Sequence, residues 1–265
     1  MVVIRLRNVF LNIYNMKNKI ICGDCLEIMK TFEDKCIDLT VTSPPYDNLR
    51  NYNGYTFNFE GIARELFRVT KEGGVVVWVV GDATIKGSET GTSFKQALYF
   101  KEIGFNLHDT MIYRRQNRPL THKRYEQHFE YMFIFSKGKP QTFNPILKDT
   151  VVKGYVTMTV RGQNNVEIRR NKKRRDRCII GNVWEIGAGN NASTKDKIAF
   201  QHPAIFPEKL AEDHILSWSN EGDIVFDPMA GSGTTLKMAK KNNRNYIGIE
   251  ISQEYIDIIN ERLNV

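Results

Sequence analysis

IVFDPMAGSGTTLKMAKKNNRNYIGIE, residues 224–250, holds the pattern that decides the fold. Three apolar residues, Ile224 to Phe226, run into Asp227 and Pro228. A loop with glycines at 231 and 233 follows, then a helical stretch over 233–242, then a second apolar run at 246–250. Short, nearly continuous apolar runs suit strands covered on both faces. A strand, a glycine-rich turn, a helix and another strand make one unit of a parallel sheet. The glycines let the backbone turn tightly and let a ligand approach closely. The start of the helix offers unpaired N–H donors and the positive end of a dipole, which suit a carboxylate. Glu250 stands twenty-three positions after Asp227 at the end of the next strand, where it can accept both hydroxyls of a ribose. The Gly-Lys-Ser/Thr ending of a phosphate-binding loop is absent. Leu236 stands where a dinucleotide fingerprint wants its third glycine. The loop therefore favours a nucleoside over a pyrophosphate and disfavours a nicotinamide-dependent oxidoreductase.

The same alternation continues on the N-terminal side. Strands are expected near 19–22, 37–41, 75–80, 107–113 and 130–135, and helices near 24–31, 58–70, 93–103, 207–218 and 252–263. With the two runs above this makes a seven-stranded, mostly parallel, doubly wound α/β sheet. The runs at 107–113 and 130–135 have no helix between them and are expected to form an antiparallel edge pair. The pattern breaks between about Lys137 and Ile198, and an interruption of that length in a compact sheet points to a substrate-recognition insert. The expected organisation is an N-terminal extension over 1–16, a main domain over 17–137 and 199–265, and an insert over 138–198.

A second loop, VTSPPYDN at 41–48, also follows an apolar run. It is suited to gripping a flat base by its exocyclic amine, whose lone pair is delocalised into the ring. To attack an electrophilic methyl group, the amine needs acceptors that hold its two hydrogens and draw the nitrogen towards tetrahedral geometry. Ser43 Oγ supplies one acceptor and a carbonyl within Ser43-Pro44-Pro45 the other. The prolines fix φ and remove competing donors. Tyr46 offers a face for a flipped base to stack on. Catalysis of this kind is positioning and electrostatics, without a strong base or a covalent intermediate. Near the cofactor loop, Asp24 can accept from an adenine amino group or simply cap its helix. Phe206, in His202-Pro203-Ala204-Ile205-Phe206-Pro207, can pack on the ligand.

Of the net charge of +8, +7 falls between Val151 and Ile198, where eleven Lys or Arg stand against four Asp or Glu. A solvated loop is the bland reading of such a run; a polyanion partner is the sharper one. Arg114, Arg115, Arg118, Lys123 and Arg124 follow a strand end and can track phosphates. Arg169, Arg170, Lys172, Lys173, Arg174 and Arg175 form a denser run, flanked by Gln163, Asn164 and Asn165, in which Arg and Asn can read guanine and adenine edges. The four cysteines suggest neither a disulfide framework nor a zinc site. Cys22 and Cys25 read as small buried apolar residues. No run approaches the roughly 20 apolar residues of a membrane span, the N-terminus does not read as a signal peptide, and a cytoplasmic location is expected.

The two loops together resemble the S-adenosylmethionine-dependent, amino-methylating DNA methyltransferases, over roughly residues 19–263. The catalytic motif precedes the cofactor motif with the basic insert between them, similar to the β-type arrangement of that family and to type II modification enzymes. The resemblance implies a Rossmann-like methyltransferase fold. It implies a catalytic loop of Ser43, Pro44, Pro45 and Tyr46. It also implies a cofactor site of Asp227, Pro228, Ala230, Gly231, Ser232, Gly233, Thr234 and Glu250, with Asp24 and Phe206 beside it, no metal, and target recognition by the insert. Ser at the head of SPPY favours the 4-amino group of cytosine over the 6-amino group of adenine. Double-stranded DNA is the implied partner, with a second copy of the chain and a cognate restriction endonuclease as further candidates. An RNA base methyltransferase, and a DNA-binding protein that has lost catalysis, stay open as alternatives.

Overall fold

The computed structural model describes residues 13–45, 57–115, 125–151, 154–161, 167–173, 175–189 and 192–264. The chain forms two compact units, residues 1–144 with 182–265, and residues 145–181. In the first unit the elements run β1 (Lys19–Cys22), α1 (Cys25–Met29), β2 (Ile37–Thr42), α2 (Phe59–Val69), β3 (Thr70–Val80), a two-strand turn of β4 (Thr84–Ile85) and β5 (Ser88–Glu89), α3 (Thr92–Glu102), β6 (Asn106–Arg115) and β7 (Phe129–Ser136). The second unit holds β8 (Leu147–Asp149), β9 (Tyr155–Arg161), β10 (Glu167–Lys173) and β11 (Arg177–Ile179). The chain then returns to the first unit with β12 (Val183–Ile186), α4 (Glu208–Trp218), β13 (Ile224–Asp227), α5 (Thr234–Lys241), β14 (Asn245–Glu250) and α6 (Gln253–Leu263).

The main sheet has the order β1-β14-β13-β2-β3-β7-β6-β12. Only β7 runs against its neighbours; every other adjacent pair is parallel. Seven strands are expected from the sequence and eight are present. The eighth, β12, pairs with β6 through Val183↔Ile112 to Ile186↔Arg115. VWEI is a four-residue strand directly behind a polar stretch, too short to stand out as an apolar run. Its presence draws the chain from 182 onward into the main unit, while Gln141 and Asn144 are tied there by bonds to the Gly73 and Ser217 carbonyls. The separate unit therefore spans 145–181, against the 138–198 expected for the insert. β6 and β7 are antiparallel as expected, but neither is an edge: β3 flanks β7 and β12 flanks β6.

Chain connectivity places the helices. From the centre, β2 steps through α2 to β3 on one side, and β13 steps through α5 to β14 on the other. Right-handed crossovers in opposite directions put their helices on opposite faces. One face buries Ile28, Met29, Ile62, Leu66 and Phe100 of α1–α3 against Trp78, Phe133, Phe135, Phe226 and Ile249. Phe100 stacks on Phe135 with centroids 4.5 Å apart and meets Trp78 edge-on at 5.1 Å. The indole Nε1 of Trp78 donates to Gln96 Oε1 at 2.8 Å, so this large ring buries no unpaired donor. On the other face His214 of α4 stacks on Trp184 at 4.6 Å. Burial holds this histidine neutral, with its pKa pushed down to about 3. The expectation of two buried cysteines needs correction: Cys22 is exposed at a strand end, and Cys25 is half-buried with its thiol pushed up to about 12, chiefly by burial.

In the second unit β9 and β10 form an antiparallel pair, and β8 pairs antiparallel with β11. Residues 145–181 contain ten Lys or Arg against three Asp or Glu. Among the described residues no helix is long and apolar enough to cross a membrane.

Candidate active site

β2 and β13 are parallel neighbours, with Val225 opposite Leu39 and Phe226 opposite Thr40. They deliver their carboxyl ends to the same edge of the sheet, at the point where the chain order reverses. Crevices of this kind bind ligands in open α/β sheets. Thr42 Oγ1 donates to Asp227 Oδ1 at 2.8 Å. Behind it, Thr235 Oγ1 donates to the Val41 carbonyl at 3.1 Å. Both threonines and Asp227 are buried. These bonds tie the end of β2 to the first residue of the glycine loop and to the helix that follows it. Ser43, Pro44 and Pro45 come directly after Thr42; Pro44 is buried and the other two are half-buried. Tyr46 lies outside the described residues.

The glycine loop is held largely through its backbone. Gly233 N–H donates to the Ala230 carbonyl at 2.7 Å, and Ala230 N–H to the Ile249 carbonyl at 2.9 Å. Gly231 and Gly233 have φ of +52° and +77°. A Cβ at 231 would lie 3.0 Å from His202 Nε2, and one at 233 would lie 2.8 Å from Ile259 Cγ2. The glycines are therefore demanded by left-handed backbone and by side chains packed against the loop. This is the tight turn expected of the two glycines.

Two buried carboxylates sit at the ends of the flanking strands. Glu250 Oε2 accepts from Gly231 N–H at 2.8 Å and Oε1 from Ser252 N–H at 2.9 Å. Each oxygen keeps a second lone pair for a hydroxyl. Burial pushes the Glu250 carboxyl up from its ordinary range. Asp227 Oδ1 accepts from Met229 N–H at 3.1 Å as well as from Thr42. Burial pushes Asp227 up to about 6 against the opposing pull of those bonds.

The remaining cofactor candidates cluster around this edge. Gly23 N–H donates to the Glu250 carbonyl at 3.0 Å, which sets the turn carrying Asp24 beside Glu250. Asp24 caps α1, accepting from Glu27 N–H at 2.8 Å through Oδ1. Phe206 is half-buried just ahead of Pro207, the residue that opens α4. Pro228 is buried, as are Ala230, Ser232 and Thr234. Ser232 and Thr234 present their oxygens to Arg262 of α6. Four residues here carry no sequence signal of their own: Thr42, Thr235, His202 and Arg262. Threonine in a strand is ordinary, and a helix arginine reads as a solvated charge.

The basic candidates divide. Arg114 is 55% exposed and only 3.7 Å from Glu185. Arg115 is mostly covered, with Nη1 2.9 Å from Glu130 Oε1, so its charge is already matched. Arg175 is exposed in the second unit. The backbone of Arg169, Arg170, Lys172 and Lys173 lies in β10. Arg118, Lys123, Arg124 and Arg174 lie outside the described residues, as does the N-terminal stretch 1–12.

Residues 37–261 match the family model described as DNA methylase, of the N6 and N4 methyltransferases. The orphan methyltransferase M.BamHII of Bacillus amyloliquefaciens is 66% identical over 238 residues, covering 87% of this chain and 89% of that protein. The PvuII DNA methyltransferase, described as cytosine-N4-specific, shares the fold with a TM-score of 0.65 at 19% identity, covering 94% of this chain and 93% of that one. A DNA modification methylase from Thermus thermophilus, complexed with S-adenosyl-L-methionine, has a TM-score of 0.60 at 24% identity, covering 92% and 93%.

Asp227 makes a prediction about pH. Its folded pKa lies above the ordinary carboxylate value, so its contribution to stability is full at low pH and is lost as pH rises through about 6. Relative to Asp227→Asn, the ligand-free wild type should gain about 1 kcal/mol of unfolding free energy between pH 7 and pH 5. Urea denaturation of both proteins across that range checks it; parallel curves would contradict it.

Proposed function

The chain belongs to the DNA methylase family of amino-group methyltransferases, and on that footing we propose that it methylates the 4-amino group of a cytosine flipped out of double-stranded DNA. The bond from Thr42 to Asp227 is the observation that carries this reading, because it sets the base-gripping loop and the cofactor loop on adjoining strand ends. Ser43 heading the SPPY tetrad supports cytosine, and so does the cytosine-N4 specificity given for the fold neighbour.

S-adenosylmethionine, when bound, supplies an electrophilic methyl group. The chain's own groups fit its polar ends. Glu250 keeps lone pairs for ribose hydroxyls, and the loop entering α5 sits at a helix start suited to a carboxylate. Asp24, half-buried beside Glu250, takes the adenine amine, and Phe206 covers the ring. Ser43 Oγ and a carbonyl of the 43–45 segment accept the two amine hydrogens and aim the nitrogen's lone pair. Tyr46 stacks on the extruded base. Once methylated, the amine is acidic enough to release its extra proton without a dedicated base. The groups act by orientation and fixed dipoles.

The unit 145–181 reads the target sequence, with its basic residues on phosphates and base edges. The 66% identical relative is named an orphan methyltransferase, which supports modification without a paired endonuclease. The protein acts in the cytoplasm, where its DNA is.

Incubation with S-adenosylmethionine and a library of duplex DNA, then nucleoside mass spectrometry, should yield 4-methylcytosine. Ser43→Ala should lower kcat by about 10²–10³ while cofactor affinity is kept. 6-Methyladenine alone would overturn the base assignment, and full activity of Ser43→Ala would remove the catalytic loop. Replacing Arg169, Arg170, Lys172 and Lys173 together by Ala should flatten the slope of log affinity against log salt by about 3–4. An unchanged slope would take this strand away from the DNA.

A further inference from the structure

The loop carrying Ser232 is gripped by a side chain thirty positions further along the chain. The Arg262 side chain has no solvent exposure. Its Nη1 donates to the Ser232 carbonyl at 2.6 Å and lies 3.2 Å from Ser232 Oγ and 3.1 Å from Thr234 Oγ1. Its Nε donates to Asp196 Oδ2 at 3.1 Å and its Nη2 to Glu208 Oε1 at 2.9 Å. Lys237 of α5 pairs with the same two carboxylates. Thr194 Oγ1 donates to Glu208 Oε1 at 2.7 Å. Burial opposes the ionised form of Asp196, yet its two cationic partners outweigh that and hold its pKa below the usual value.

One planar group thus spans three pieces of chain. It holds the backbone of the glycine loop, the first turn of α5 and the segment from Thr194 to Glu208. That segment contains His202, whose Nε2 abuts Gly231. Lysine, a single ammonium on a flexible stem, cannot make this fork of contacts at once. Asp196 and Glu208 match the charges of Arg262 and Lys237, while the donation to the Ser232 carbonyl ties the loop backbone directly to this buried, fully paired guanidinium.

We infer that Arg262 is a positioning residue for cofactor binding: it fixes the Ser232 carbonyl and, through Asp196 and Glu208, the segment that seats His202 against Gly231. It acts on the cofactor through the loop. The inference rests on the reading of residues 227–233 as the cofactor loop, and it places the effect in binding rather than in methyl transfer.

Calorimetric titration of S-adenosylhomocysteine into wild type, Arg262→Lys and Arg262→Met, with urea midpoints for each, tests it. Arg262→Met should weaken binding about tenfold or more, and Arg262→Lys by less. Single-turnover methyl transfer at saturating cofactor should stay within about threefold of wild type, so that the loss appears in KM and not in kcat. Binding within twofold of wild type in both variants, alongside lowered urea midpoints, would overturn the inference and leave Arg262 a purely structural ion-pair partner. If Arg262→Met does not fold, Asp196→Asn keeps the grip on Ser232 and cuts one tie to the 194–208 segment. It should weaken binding measurably, and unchanged binding there would also overturn the inference. Failure of the wild type itself to bind would instead refute the reading of the loop.

Discussion

The hydrogen bond from Thr42 to Asp227 is the constraint on which the site depends. It spans two strands that are neighbours in the sheet but 185 positions apart in the chain. Both ends are buried, and the acceptor is a carboxylate that burial pushes towards its neutral form. A buried donor to such a group contributes about 1.5–3 kcal/mol, and leaving the acceptor without it costs a comparable amount. Strand pairing brings the two tips together; this bond sets their alignment. Under the proposed reading it also sets the relation between the atom that gives a methyl group and the nitrogen that takes it.

Around that bond, support is built from backbone. The glycine loop closes on the carbonyls of Ala230 and Ile249, and Glu250 holds Gly231 N–H from the side. His202 and Ile259 stand where side chains at 231 and 233 would have to go. The protein's own atoms therefore hold this loop in shape without a ligand. Preorganisation of this kind is what positioning catalysis requires, since a misplacement of about 1 Å can cost about 10² in rate.

Much of this was legible in the sequence because apolar run length and helical spacing are local properties. The strand at 19–22 and the helix at 252–263 fall within a residue of β1 and α6. The two loops were legible for the same reason: each is a short motif set directly behind an apolar run. What escaped depends on distant partners. β12 is a strand only because β6 offers it an edge, and β6 lies inside the sheet only because β12 extends beyond it. Arg262 looks like any helix cation until the chain folds it behind Ser232. Asp24 had two readings from sequence, cap and ligand acceptor; its Oδ1 bonds to Glu27 N–H, and its place beside Glu250 keeps the second reading in play.

A crystal structure of the protein with S-adenosylhomocysteine and a duplex containing its target would test the central claim most directly. The account predicts the thioether sulfur and the amine of one extruded cytosine in a single cleft over the Thr42–Asp227 bond, with Ser43 Oγ within hydrogen-bonding distance of that amine. A cofactor bound away from the 227–233 loop, or an extruded base seated away from Ser43, would contradict it.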